Sequence, residues 1–301
     1  MSIGPAAVRR GGGHAATRST HLRLTRRNHG HRHFPGHRHI GRRNHLAFDT
    51  IGQGPAVICV DGAFCTRRLG PMHALAGLLA SQFTVVHYDR RGRGGSGDTG
   101  PYAVEREIED LEALITVAGG SAHVFGLSSG AALSLRAAAA GLNITRLALY
   151  EPPFVAIDKS GHQPPADSAD VLTRLIAADR RAEAATFYLT RVIGAPAIFP
   201  LLMRVTPMWP KMKGVAASLP YDAAIMGDFE VPARQLSTLT VPTLVIGGAK
   251  SPANLRQATR AVADTLPDGR ALFLEGQNHN VSARTLAPLL HRFFRTTADR
   301  A

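Results

Sequence analysis

Residues 122–141 constrain the fold of this chain more than any other segment. They begin with an apolar, strand-like run, continue as Gly-Leu-Ser-Ser-Gly at 126–130, and end in an Ala- and Leu-rich stretch typical of a helix. A Gly-x-Ser-x-Gly sequence between a strand and a helix predicts a tight, strained turn, and small residues on both sides of the serine leave room for it. The sequence therefore predicts Ser128 as a nucleophile; an ordinary Gly-rich loop is the alternative.

Basic residues are concentrated at the N-terminus. Of the formal net charge of +13, residues 1–45 account for +10, because they contain ten Arg and no Lys, Asp or Glu. A nucleic-acid-binding domain would spread such charge over a folded face. We therefore expect no dedicated nucleic-acid partner. The alternative, binding of nucleic acid by this extension, would be weak and sensitive to salt.

The same extension carries eight of the fourteen histidines among Arg and Gly, with almost no apolar periodicity, which predicts disorder over residues 1–45. Because the histidines are irregularly spaced and no Cys or carboxylate joins them, we predict adventitious metal binding and no metal site. Arg26-Arg27 is followed by polar residues, whereas an export signal needs an apolar stretch there. We expect no signal peptide.

Apolar runs and cysteines indicate the compartment. No apolar run approaches the ~20 residues of a membrane-spanning helix, so we expect a soluble protein without a dedicated membrane partner. The only cysteines, Cys59 and Cys65, do not suggest a disulfide framework. We therefore expect a cytoplasmic protein.

Strands and helices alternate beyond the extension, which predicts an α/β fold with a mostly parallel sheet covered on both faces. The predicted strands are 56–60, 83–88, 122–125, 144–150, 243–246 and 270–274, and the predicted helices are 71–81, 104–117, 131–141, 253–266 and 282–294. Between 152 and 240 the alternation stops and the sequence is helical and rich in Pro and Met. We therefore predict a core of residues 46–151 and 241–301 with a helical insertion at 152–240.

A serine hydroxyl needs a base to become a good nucleophile, and that base is usually a neutral imidazole. His279 lies in the loop after the last predicted strand, at the sheet edge where the loops of parallel strands converge. His291 falls in an amphipathic helix and is expected on the surface, and His87 and His123 fall in strands and are expected to be structural. His279 is the predicted base.

The base needs a carboxylate that orients it and stabilises its charged form. The chain order of such sites is Ser, acid, His, and the acid usually follows the strand at 243–246, where this chain has Lys250 instead. Glu151 directly follows the strand after the serine helix, and we predict it as the acid. Asp222 and Asp228, near the end of the insertion, are the alternatives.

Backbone N–H groups must stabilise the oxyanion of the transition state. We predict the N–H of Ser129, next to the nucleophile, and the N–H of Ala63, in the loop after the first predicted strand, where Gly62 allows close approach. An adaptable apolar wall for a substrate is predicted from Phe64 and the insertion residues Met203, Met208 and Trp209.

The chain from about residue 48 to 294 resembles the α/β-hydrolase superfamily, closest to small bacterial members. The resemblance rests on the serine turn, the Gly- and Arg-rich loop at 88–98, the His279 motif, and the Tyr-Glu-Pro-Pro-Phe segment at 150–154. It implies an eight-stranded, mostly parallel sheet with a helical lid at 152–240, and it supports Glu151 by analogy. The sequence departs from the family pattern at Asp61, where many members have His, and at Lys250.

These observations together predict a serine hydrolase, esterase- or thioesterase-like, that cleaves a small apolar acyl ester through an acyl-enzyme intermediate. A serine nucleophile argues against the epoxide-hydrolase and haloalkane-dehalogenase branches that the resemblance brings to mind. The Gly-rich loop at 92–97 fits a hydrolase better than a dinucleotide site, so we expect no cofactor. A catalytically weak ligand-binding or sensor protein with the same fold is the alternative.

Overall fold

The computed structural model describes residues 18–23, 44–156 and 161–296; for residues 18–23 only the backbone is described. The strands within these ranges are β1 Arg18–Arg23, β2 His45–Ile51, β3 Ala56–Val60, β4 Thr84–Tyr88, β5 Ala122–Leu127, β6 Ile144–Tyr150, β7 Thr243–Gly248 and β8 Gly269–Leu274.

The helices of the core are α1 Met72–Leu79, α2 Val104–Val117, α3 Ser129–Ala139, α10 Ala253–Thr265 and α11 Ala283–Arg295. Between β6 and β7 lie α4 Ser168–Ala177, α5 Arg181–Phe187, a π-helical turn Tyr188–Val192, α6 Ile198–Met203, α7 Met208–Val215, a 3₁₀ turn Ala216–Ser218, α8 Leu219–Met226 and α9 Ala233–Leu236. The segment from α4 to α9 is named the lid below.

All eight strands form one sheet in the spatial order β1-β2-β4-β3-β5-β6-β7-β8. Strand β2 runs antiparallel to β1 and β4, and from β4 to β8 every neighbouring pair is parallel. The carboxyl ends of β3, β5, β6, β7 and β8 therefore meet at one edge of the sheet. This topology confirms the predicted α/β-hydrolase fold.

Alternating side chains on the buried strands form a core on each face of the sheet. Ile58 and Val60 pack with residues of α2 and α3, whereas Val57 and Cys59 pack with residues of α1 and α11. This is the period of two that a pleated strand imposes on its side chains. Helices cover both faces, as predicted.

The lid packs onto the core through α8, which contacts α3 and α4. Helix α3 is the helix that follows Ser128. The lid is therefore anchored directly behind the predicted nucleophile.

Strand β1 lies in the extension for which we predicted disorder, and for these six residues the prediction was wrong. Its backbone pairs with β2, with Arg18 opposite Thr50 and Arg23 opposite His45. The pairing satisfies backbone groups of β2, which would otherwise form an unprotected edge, and it needs no apolar periodicity. Strand β2 was not predicted either. Residues 1–17 and 24–43, including Arg26-Arg27 and most of the clustered histidines, lie outside the described residues.

No helix in the described ranges combines the length and the apolar composition needed to cross a membrane. Both cysteines are free thiols: Cys59 is buried and Cys65 is half-buried. The fold is therefore held without a disulfide between them.

Candidate active site

Ser128 occupies the sharp turn between β5 and α3, with φ 56° and ψ −123°. A Cβ atom at Gly130 would lie 2.3 Å from the carbonyl oxygen of Val60, and one at Gly126 would lie 2.6 Å from the Cα of Ala131. Only glycine fits at either position, so the two glycines of the motif allow α3 to pack this closely under the serine. The alternative of an ordinary Gly-rich loop does not account for this geometry.

Glu151 and His279 form the predicted pair. Glu151 is completely buried, and its Oε2 lies 2.7 Å from Nδ1 of His279, whose side chain is 38% exposed. The other oxygen, Oε1, accepts a hydrogen bond of 2.7 Å from the N–H of Gly248. Because a carboxylate only accepts hydrogen bonds, Nδ1 carries the proton, and Nε2 is left as the basic nitrogen.

Backbone contacts bring this pair to the serine turn. The N–H of Ser128 donates to the carbonyl of Tyr150, the residue immediately before Glu151, at 2.9 Å. The hydroxyl of Tyr150 donates to the carbonyl of Asn278, the residue immediately before His279, at 2.6 Å. The three residues predicted as a triad therefore share the carboxyl edge of the sheet.

The backbone of the loop after β7 forms a hydrogen bond to the loop that carries His279, which is named the histidine loop below. Lys250 is exposed, and its N–H donates to the carbonyl of Gln277 at 2.8 Å. A Cβ atom at Gly248 would lie 2.6 Å from the same carbonyl oxygen. The end of β7 is thus filled by the histidine loop, and the carboxylate reaches His279 from the neighbouring strand β6.

The two alternative acids have other partners. Asp222 is buried and is bound by Arg90, Arg93 and Ser129. Asp228 is exposed and accepts the N–H of Glu230 through its own side chain. Neither forms a hydrogen bond to His279 within the described part of the chain.

Three other histidines of the core, His87, His123 and His291, have different environments from that of His279. His87 is buried in β4, and burial lowers its pKa. Nδ1 of His123 lies 2.7 Å from the hydroxyl of Thr145, and half-buried His291 reaches the carbonyl of Leu78 at 3.2 Å, so His291 is less exposed than predicted. His279 is the histidine that the structure pairs with a buried carboxylate.

Three residues of this sheet edge have positive φ although they are not glycine: Phe64 at 61°, Ser128 at 56° and Glu151 at 47°. They follow the adjacent strands β3, β5 and β6. Such backbone conformations cost free energy and are concentrated at functional sites, where the surrounding structure holds them in place. The described residues include two other examples, Asp179 and Phe229, outside this edge.

The loop after β3 lies against the serine, since a Cβ atom at Gly62 would sit 3.6 Å from Ser128 Oγ. Within the described residues, the N–H groups of Ala63 and Ser129 donate to no protein acceptor. Ser129 is the first residue of α3, where an N–H has no intrahelical partner and the helix dipole favours negative charge. These are the two donors predicted for an oxyanion.

The model of the alpha/beta hydrolase family matches residues 14–289. This chain belongs to the alpha/beta hydrolase family. An alpha/beta hydrolase from Sphaerobacter thermophilus is 50% identical, with a TM-score of 0.79 over 84% of this chain and 97% of that one. The putative non-heme bromoperoxidase BpoC of Mycobacterium tuberculosis is 24% identical over 239 residues, 78% of this chain and 90% of BpoC. A thermophilic esterase from Thermogutta terrifontis shares the fold, with 21% identity and a TM-score of 0.64 over 92% of this chain and 98% of the esterase.

The loop that carries Gly62 and Ala63 is named the oxyanion loop below, after its predicted role. Behind this loop lies a buried ionic cluster that the sequence did not reveal. Arg93 donates to the carbonyl of Gly62 and to Asp222 Oδ2, each at 2.5 Å. Asp222 Oδ1 accepts from Arg90 at 2.8 Å and from the hydroxyl of Ser129 at 2.6 Å. Asp222 belongs to α8, so one lid carboxylate is joined to both the oxyanion loop and the serine turn.

Opposite charges compensate one another in this cluster. Burial by itself would raise the pKa of Asp222, but Arg93 and Arg90 outweigh it and lower the pKa below its usual value. Arg90 also makes two hydrogen bonds of 2.8 Å to Glu107. Burial raises the pKa of Asp61 to about 8, although Arg93 and Arg90 lower it, so Asp61 is protonated at neutral pH.

Lid side chains above the oxyanion loop form a small apolar cluster. Phe64 packs edge-on against Tyr188 at 5.5 Å and, with Met203, contacts the cluster that contains Trp209 and Met212. Met208 is 38% exposed and is not among the residues of this cluster, so its place in a substrate wall stays a prediction.

Proposed function

We propose that this chain is a serine hydrolase that cleaves a small apolar acyl ester or thioester through an acyl-enzyme intermediate. The observation that carries the proposal is the 2.7 Å contact between His279 Nδ1 and the buried carboxylate of Glu151, beside a strained serine turn. A buried carboxylate on Nδ1 fixes the imidazole tautomer in which Nε2 can accept a proton.

In the first step, Ser128 Oγ attacks the carbonyl carbon of the ester, and His279 Nε2 takes the hydroxyl proton. The imidazolium that forms is stabilised by the carboxylate of Glu151. The N–H groups of Ala63 and Ser129 donate to the carbonyl oxygen as it becomes negatively charged. Donors that are fixed before the reaction need no reorganisation when that charge develops.

In the second step, the tetrahedral intermediate collapses, the bond to the leaving group breaks, and His279 gives its proton to the leaving oxygen or sulfur. Water then attacks the acyl-enzyme with His279 again as base, which releases the carboxylic acid and restores Ser128. We propose ester hydrolysis because each group that this sequence requires has a counterpart among the described residues, and because the relatives include an esterase.

Covalent labelling tests the proposal. The purified protein is treated with a fluorophosphonate probe and assayed on p-nitrophenyl esters of increasing acyl length, with Ser128→Ala beside it. The exposed serine variant Ser81→Ala serves as the matched control. We expect labelling and turnover in the parent and in Ser81→Ala, and neither in Ser128→Ala. A folded parent that is not labelled would favour the alternative of a catalytically weak binding protein.

A further inference from the structure

The lid exposes a group of large apolar side chains, named the lid patch here, that the proposed mechanism does not use. Its members are Ile193, Ile198, Phe199, Leu201, Leu202, Val205 and Met208. Elsewhere in the described residues, exposed large apolar side chains occur singly, at Leu78 and Val117. Isolated exposed apolar residues need no explanation, whereas a group of this size on one segment marks a contact surface.

Most side chains of α6 are exposed, and they form much of the lid patch. Of the six residues of α6, Pro200 alone is buried, and Val205 just after the helix is 88% exposed. Helix α7 follows, and its buried Trp209 and Met212 anchor the segment to the apolar cluster beneath it. The segment that carries the patch is therefore fixed to the rest of the lid.

The charged residues of the chain segment that carries the patch all have the same sign. Between Glu183 and Asp222 the chain has no Asp or Glu, and its four charged residues are Arg191, Arg204, Lys211 and Lys213. None of the four forms a salt bridge within the part of the chain that the structure describes. The guanidinium of Arg204 lies 5.7 Å from the ring centre of Trp209, which keeps it beside the patch.

An apolar surface on a segment whose charged residues are all basic fits an anionic partner. A second copy of this chain would bring cation against cation around the apolar contact, which disfavours a symmetric pair. Five of the seven patch residues are aliphatic, whereas protein interfaces are enriched in Tyr, Trp, Phe, Met and Arg. A lipid surface accepts aliphatic side chains without needing a complementary shape.

We propose that the lid patch docks on an anionic lipid surface. The apolar side chains enter the boundary between headgroups and acyl chains, and the basic side chains meet the lipid phosphates. Such a contact lies on the bilayer and requires no spanning helix, so the absence of a long apolar run does not bear on it. It is independent of the proposed chemistry at Ser128.

Trp209 provides a local probe, because it is the chain's only tryptophan and lies beside Met208 of the patch. The full chain is mixed with vesicles of phosphatidylcholine alone, or of phosphatidylcholine and phosphatidylglycerol in equal parts. Binding is followed by flotation, and insertion by quenching of Trp209 with lipids brominated on the acyl chain. We expect binding and quenching with the anionic vesicles, both weakened by high salt.

The double variant Leu201→Ser/Leu202→Ser removes apolar area from the patch, so we expect its vesicle affinity to fall by about tenfold or more. The matched variant Leu78→Ser/Val117→Ser changes exposed apolar residues elsewhere and should bind like the parent. Thermal unfolding curves show whether each variant is folded, and this readout does not depend on the proposed activity.

Two results would overturn the proposal. In the first, the Arg-rich residues 1–45 bind anionic vesicles by charge alone. The protein then binds the vesicles without quenching of Trp209, and the Leu201/Leu202 variant binds as well as the parent. Alternatively, sedimentation shows a dimer that the Leu201/Leu202 variant abolishes while vesicle binding is unchanged. The patch would then be an interface between two copies of this chain.

Discussion

Glu151, at the end of β6, can reach His279 because β7 ends in a glycine, Gly248. Gly248 has no side chain, so the histidine loop packs against its backbone, and its N–H fixes one oxygen of the Glu151 carboxylate. The other oxygen is left for Nδ1 of His279. Lys250, in the same loop, contributes only its backbone to this arrangement.

The substitution Glu151→Gln tests this role. The amide keeps the shape of the side chain but cannot stabilise an imidazolium, so we expect kcat to fall roughly 10²- to 10⁴-fold with little change in KM. The measurement is steady-state turnover of the best p-nitrophenyl ester, with thermal unfolding as the check on folding. Near-parental turnover would eliminate Glu151 as the acid of the triad.

Ser128→Ala and His279→Ala test whether the two residues act as a unit. Each change alone removes the same concerted attack, so each should remove most of the activity, and the double variant should be little worse than either. The rate of ester hydrolysis is measured for the parent, the two single variants and the double variant, which together form a double-mutant cycle. Losses that multiply in the double variant would show that Ser128 and His279 act independently.

Asp222 joins three elements at one point: the lid helix α8, the loop that carries Arg90 and Arg93, and the serine turn. The lid therefore helps to hold the oxyanion loop, since the same Arg93 also binds the carbonyl of Gly62. This coupling was not predictable, because it joins side chains about 130 positions apart and no local pattern marks it.

We expect Asp222→Asn to lower both stability and activity. It removes the carboxylate that binds Arg93, while Arg90 keeps Glu107, and breaking a buried ion pair on one side costs about 3–5 kcal/mol. Denaturant unfolding measures the free energy, and ester turnover of the fraction that is folded measures the effect on the oxyanion loop. Unchanged stability would mean that Arg90 and Arg93 do not depend on this carboxylate.

The raised pKa of Asp61 makes the free energy of unfolding of the protein depend on pH. In the folded protein Asp61 has a pKa of about 8, whereas in the unfolded chain its pKa is close to the usual value for an Asp side chain. The folded state therefore binds more protons between these values, and stability falls as pH rises through that window, then levels off above pH 8.

Asp61→Asn should remove this dependence. Its free energy of unfolding should exceed that of the parent by a margin that grows from pH 5 to pH 8, by at most about 1.4 kcal/mol per pH unit. Denaturant unfolding at each pH gives the difference, in which the titration of other groups cancels. A constant difference would show that Asp61 is already ionised in the folded protein.

The order of strands and helices was predictable, because each buried element carries its own apolar pattern. The predicted bounds of β3, α2 and β6 agree with the structure. The common location of Ser128, Glu151 and His279 was predictable for a related reason, since each follows a parallel strand and these strands end at the same edge. Two features that depend on neighbours distant in sequence were not predictable: the pairing of β1 with β2 and the Asp222 cluster.

Because β1 lies at the edge of the sheet farthest from β8, the extension and the candidate active site can be separated by truncation. Deleting residues 1–43 removes β1 and leaves β2 as an exposed edge, with unpaired N–H and C=O groups that can pair with another chain. Deleting residues 1–17 keeps β1 and is the matched control. We expect both truncated proteins to hydrolyse esters with parental kcat, and the longer deletion alone to aggregate on heating, as followed by light scattering. A large loss of kcat in the longer deletion alone would show that pairing of β1 with β2 is transmitted across the sheet to the strands that carry Ser128 and Glu151.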